Sequence, residues 1–143
     1  MKKIMLLASV LLALMISGCS TKLSSDIVPG AALNAKGKFY VVHFEPDKRN
    51  LNVTIADQLK LMGYDAVAGE NNSMPGDVQT IVTYVDHWQW DITNYMIEIN
   101  IQFRDANDNS LIMSGRSYRT SLARKSADEM IRETLEEMLH SSR

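Results

Sequence analysis

Between Tyr95 and Arg104 the chain alternates without a break. Tyr95, Ile97, Ile99, Ile101 and Phe103 occupy one parity, and Met96, Glu98, Asn100, Gln102 and Arg104 the other. Successive side chains of a strand point to opposite faces, so this pattern predicts a strand with one buried and one wet face. Such a strand cannot stand alone. Its apolar row needs a covering layer, and its backbone needs partners on both sides.

Partners flank it directly. Val78 to Trp90 is a second strand rich in β-branched and aromatic residues, with Val78, Thr80, Val82 and Tyr84 on one face. Asp91-Ile92-Thr93-Asn94 has the composition of a turn between the two. Asp105 to Asn109 is a second turn, after which Leu111 to Thr120 returns. Three consecutive strands joined this way predict an antiparallel meander.

The covering layer is also legible. Leu51, Ile55, Leu59 and Met62 fall at helical spacing, with Asp47 or Asn50 as cap and Gly63 as stop. Ser126 and Glu129 form a capping-box pair, and Ile131, Leu135, Met138 and Leu139 make the stripe of a last helix. Phe39 to Phe44 reads as a central strand, apolar on both faces, and Tyr64 to Ala68 as a short one. The expected fold is α+β: a two-layer sandwich, mainly antiparallel, of four to five strands with two helices on one face.

The first residues read differently. Lys2 and Lys3 precede a thirteen-residue apolar run from Ile4 to Ile16, interrupted only by Ser9. That is shorter than the roughly twenty apolar residues of a membrane-spanning helix and fits a secretion signal. The run closes on Ile16-Ser17-Gly18-Cys19, which resembles the lipobox of bacterial lipoproteins. The resemblance implies a signal peptide over 1–18, a diacylglyceryl thioether and an N-acyl chain on Cys19, and no other cofactor. Ser20, where an Asp would imply inner-membrane retention, matches the outer-membrane pattern, with the domain facing the periplasm. Residues 20–37 are small and polar, with Pro29 and Gly30 as breakers, and read with Cys19 as a lipidated tether of about 20–25 Å. The domain is expected over 38–143. The stretch from Asp47 to Met96, with Trp88-Gln89-Trp90-Asp91, resembles bacterial lipoproteins of unknown function. The element order is also similar in layout to the lipoprotein partner of lipopolysaccharide insertion.

Composition narrows the function. With 143 residues, 45% hydrophobic and 22% charged, the chain is globular and long enough for one domain. Its formal charge of −2 becomes more negative once Lys2 and Lys3 are removed, so nucleic acid is a poor partner. One cysteine allows no internal disulfide. No Gly-x-Ser-x-Gly elbow and no paired-cysteine or His-Glu-x-x-His motif is present. His43, Glu45 and Asp47 alternate near a strand end without the spacing a metal site needs. Asp105-x-Asn107-x-Asn109 begins like a calcium loop, but Ser110 and Arg116 stand where Gly and Glu are required. Neither catalysis nor a metal is indicated.

Two constellations remain. Trp88 and Trp90, with Tyr84 and Tyr95 nearby, offer an aromatic platform for a sugar, lipid or peptide, or else close the core. Arg116, Arg119, Arg124 and Lys125 gather between the last strand and the last helix, with Arg104 on the wet face of the neighbouring strand, either to hold an acidic partner or anionic glycolipid, or as a solvated edge. The candidate binding surface is therefore Trp88, Trp90, Arg104 and Arg116. The expected function is a non-enzymatic binding or assembly module of the outer membrane with an envelope protein or glycolipid partner. The alternatives are a carrier or sensor of a small amphiphile and a hydrolase of envelope polymers.

Overall fold

The computed structural model describes Met1 and residues 21–142. The expected signal peptide beyond Met1, and Cys19, lie outside the described residues. Six strands and two helices follow: β1 Lys22–Ile27, β2 Lys38–Val42, α1 Leu51–Leu61, β3 Asp65–Gly69, β4 Val78–Asp91, β5 Thr93–Asp105, β6 Leu111–Tyr118 and α2 Ala127–Ser141. The strands form one mixed sheet in the order β1-β6-β5-β4-β2-β3. The β4-β5-β6 meander is antiparallel as its turns require, while β2 runs parallel to both β3 and β4. The β2-α1-β3 unit makes that geometry possible, because a helix supplies the length that a parallel crossover needs.

Both helices lie on one face. Leu51, Ile55, Ala56 and Leu59 of α1 and Met130, Ile131, Leu135 and Met138 of α2 bury against Phe39, Val41, Val82, Ile99, Ile101, Phe103 and Met113 of the sheet. Ser126 caps α2 through a reciprocal box with Glu129. At α1 the work falls to Asp47 rather than to Asn50. Asn50 adopts a left-handed conformation with no side-chain cap, and Asp47 Oδ2 accepts from the Leu51 amide at 2.6 Å. Gly115 of β6 faces α2 so closely that a Cβ would lie 2.5 Å from Met138 Cγ and 2.9 Å from Thr134 Cγ2.

Two expectations are corrected. The sheet has six strands, not four or five, because Lys22–Ile27 of the expected tether is an edge strand pairing antiparallel with β6. Its alternation is masked by Ser25, which points to the helix face yet is polar because its hydroxyl donates to the Glu137 carbonyl at 3.3 Å. The second correction is in β5. Opposite β4 the pairing runs His87 to Glu98 and then Trp88 to Met96, so Ile97 is one residue too many. That bulge exchanges the faces before it. Met96, not Tyr95, joins the core, and Tyr95 pairs with Gln89 on the opposite side.

Candidate functional site

Because both helices cover the same face, neither covers the other face of the sheet, which is closed at the arm end, where Arg124 lies over the buried Tyr95. Register places Ser24, Arg116, Asn100 and Val85 in one row across β1, β6, β5 and β4, with Lys22, Tyr118, Glu98 and His87 in the next. An Arg116 guanidinium nitrogen donates to Glu98 Oε2 at 2.7 Å, and Asn100 Nδ2 donates to Glu98 Oε1 at 2.6 Å. The bond from Arg116, with the smaller one from Asn100, outweighs burial and holds the Glu98 carboxyl below the usual range. Arg104 sits on the same face, donating to Gln102 Oε1 at 2.7 Å and to the Asn109 carbonyl at 3.0 Å. The result is a flat, hydrogen-bonded polar surface that presents two guanidinium groups in fixed positions.

The two tryptophans are elsewhere. β4 and β5 continue past the bulge as a two-stranded arm that ends on Ile92, the single residue between them. Trp88, at the base of the arm, packs against the core, with the Arg49 guanidinium 3.8 Å over its ring and its indole donating to Asp86 Oδ2 at 2.6 Å. Trp90, further out, is 71% exposed. Tyr84 is no part of a platform. It is buried, and its ring meets Phe44 edge-on at 6.0 Å. Trp88, Trp90, Arg104 and Arg116 therefore do not form one surface. They divide between the arm and the open face.

The expected cation cluster is also dispersed, because most of its members have partners. Arg119 and Lys125 turn onto Glu133 of α2 at 2.8 and 2.6 Å, where Ser117 also donates at 2.6 Å. Burial alone would raise the Glu133 pKa, but these hydrogen bonds prevail and hold it down to about 2. Arg124 lies 3.9 Å over the Tyr95 ring and donates to Asp91 Oδ2 at 3.0 Å and Thr93 Oγ1 at 3.2 Å, which clamps the arm to the turn after β6.

The sequence reading did not single out Ile92 or Leu122, and gave Asp47 only as one of two candidate caps and beside His43 and Glu45. Ile92 has φ of 63°, a conformation that favours Gly or Asn over a β-branched residue. An Ile at the centre of a turn was the available signal. Asp47 is buried and organises the β2-α1 junction. It accepts from Tyr84 at 2.7 Å and from the Arg49 amide at 2.7 Å, while the Phe44 and Asn52 amides donate to the Tyr84 hydroxyl. Burial first, and the bond to Asp47 second, push the Tyr84 pKa far up, so the phenol stays a donor. With its carboxylate engaged by the backbone, Asp47 is not placed as a metal ligand. Among the described residues no group of three or more His, Cys, Asp or Glu side chains is arranged to hold a metal. Asp105 to Asn109 closes the β5-β6 hairpin, with Asp105 Oδ1 accepting from the Asn107 amide at 2.7 Å. Two shallow hollows of about 420 and 610 Å³ adjoin Tyr64 and Leu139 beside the C-terminal half of α2.

No protein-family model matches this chain, and no curated protein matches it. Its fold does match solved structures. A PelC dodecamer from Paraburkholderia phytofirmans superposes with a TM-score of 0.62 at 14% identity, covering 83% of this chain and 98% of that one. A leucine-to-methionine variant of the same dodecamer gives 0.61 at 17% identity, covering 81% and 95%. The likeness is one of fold.

Proposed function

We propose that this protein is a lipid-anchored, non-enzymatic module of the bacterial envelope that docks an envelope partner on its uncovered sheet face. The observation that carries the reading is the division of labour across the sheet. One face is sealed by α1 and α2, and the other holds Arg116, Glu98, Asn100 and Arg104 in a fixed polar array with nothing over it among the described residues. Arginines held in place lose little freedom on binding and suit carboxylate or phosphate groups of a partner. Lipidation at Cys19, outer-membrane residence and a periplasm-facing domain are part of the proposal, supported by the residues of the Ile16-Ser17-Gly18-Cys19 box. The shared fold with PelC, crystallised as a dodecamer, is compatible with a role in assembly.

The test has two parts. Intact mass of the chain purified from membranes reads the anchor, and Cys19→Ala should remove the acyl mass. A photo-crosslinking residue at Asn100 reads the face. It should capture a discrete envelope protein or glycolipid that the combined Arg104→Glu and Arg116→Glu variant no longer captures while still melting cooperatively, at a temperature lowered by loss of the Arg116–Glu98 pair. Capture that survives the reversal means that the polar face is only solvated. The hollows beside Tyr64 and Leu139 favour a second reading, a carrier of a small amphiphile, and lipid co-purifying with the Cys19→Ala chain would select it.

A further inference from the structure

Apart from Met1 and Leu61, the described large apolar side chains exposed beyond two thirds are Trp90, Ile92 and Leu122, at 71%, 87% and 84%. All three lie at one end of the molecule. Trp90 and Ile92 end the β4-β5 arm, and the single helical turn Ser121–Ala123 that carries Leu122 is tied to that arm through Arg124, Asp91 and Thr93. Leu61 is at the opposite end, where α1 finishes before β3. The chain entering the sheet arrives at this same end. β1 begins at Lys22, which lies beside Tyr118, Glu98 and His87, the last row before the arm departs. Cys19 is three residues before Lys22 and so can lie no further than about 11 Å from it. Trp90 is three strand residues beyond His87, about 10 Å further out, and Ile92 about 16 Å. The reach of an acyl-bearing Cys19 therefore extends to the level of Trp90.

We propose that this end, Trp90, Ile92 and Leu122, sits in the interface of a phospholipid bilayer. The domain then stands on its arm with its strands rising from the membrane and the Arg116 face turned sideways. The proposal rests on the lipid anchor of the preceding section. An indole suits the headgroup level because its ring is apolar and its N–H remains hydrated. Ile92 and Leu122 supply side chains for the acyl boundary. Two cations beside the tip are already paired. Arg124 is on Asp91 and Arg119 is on Glu133, so the contact made by Trp90, Ile92 and Leu122 themselves is apolar.

The experiment uses the full chain purified from membranes and reconstituted in phosphatidylcholine vesicles whose lipids are brominated either near the headgroup or deep in the acyl chain. Trp88→Phe leaves Trp90 as the only indole. Its emission should move to the blue and fall by about half with the shallow quencher. In Trp90→Phe the remaining Trp88, packed under Arg49, should be quenched less. A bimane label on Ile92→Cys repeats the reading with both tryptophans in place. Leu122→Asn should weaken the quenching. Mass spectrometry of the same sample reads the anchor separately. Acylated protein with unquenched Trp90 and unquenched bimane overturns the seating alone. Protein without acyl mass overturns the anchor and this inference together. A blue-shifted, unquenched Trp90 accompanied by crosslinks between Ile92→Cys sites of two copies assigns the tip to a second copy instead.

Discussion

The two halves of the β4-β5 hairpin are one continuous ribbon with opposite fates. In the inner half, Val82, Tyr84, Ile99, Ile101 and Phe103 are buried under both helices. In the outer half, past the Trp88–Met96 pair that still packs on the core, the ribbon leaves the helices behind and carries exposed Trp90 and Ile92. Backbone pairing is the same in both, so the ladder does not make the difference. The covering layer does. A side chain of the inner half exchanges water for packed hydrocarbon, at roughly 25 cal/mol per Å² of apolar surface, and Trp90 and Ile92 at the tip do not. Stability should therefore reside in the inner half, and contact with other molecules in the arm and the open face.

Ile99→Asp should break the inner half outright. A carboxylate with no partner would stand under α2, at a cost of more than about 4 kcal/mol against a typical total of 5–15. Loss of a cooperative melt checks this, and a stable Ile99→Asp protein would place Ile99 outside the core. Gly115→Ala is subtler, because the added methyl must displace Met138 and Thr134. A destabilisation of about 1–3 kcal/mol is expected, read as a lower denaturant midpoint at unchanged slope.

Glu133→Gln tests the clamp between α2 and the end of β6. Its loss should be about 1–2 kcal/mol near neutral pH, allowing for partial exposure of the partners. Glu133 has its pKa lowered in the folded state from 4.5 to about 2. Its contribution is therefore complete above about pH 4.5 and disappears as pH falls towards 2. The difference in melting temperature between wild type and variant should close over that window. A gap that stays constant from pH 6 to about 2 would mean that the charge of Glu133 is not involved.

The smallest effect belongs to the arm. Ile92→Asn should leave stability unchanged or raise it by about 0.5–1 kcal/mol, because Asn tolerates the left-handed conformation better than a β-branched residue. It should nevertheless reduce bilayer contact. A marked destabilisation would show that Ile92 is packed and would erase the contrast between the two halves.

Much of this molecule was legible locally. The meander, both helices, the Ser126 capping box and the placement of Glu98, Asn100 and Arg104 opposite the core follow from periodicity and cap chemistry, which act within a few residues. Periodicity also overran its range. Five apolar residues in alternation suggested one face, yet only Ile99, Ile101 and Phe103 hold it, because an insertion in one strand relative to its neighbour is invisible in either strand alone.

The strand at Lys22–Ile27 illustrates the same limit. It exists through pairing with residues some ninety positions away, Lys22 with Tyr118 and Ile27 with Met113, and four of its own six residues are serine or charged. The partners of Arg119, Arg124 and Lys125 were undetermined for the same reason. A charged side chain adjacent in sequence to others looks like a patch until the fold brings up Glu133 and Asp91. The sequence by itself determined both helices, five of the six strands and which way each prefers to face, because those follow from the geometry of a single segment. Only the tertiary structure decided the bulge, the sixth strand, the pairing of the cations and the exposure of the arm, because each depends on the distance between groups far apart in the chain.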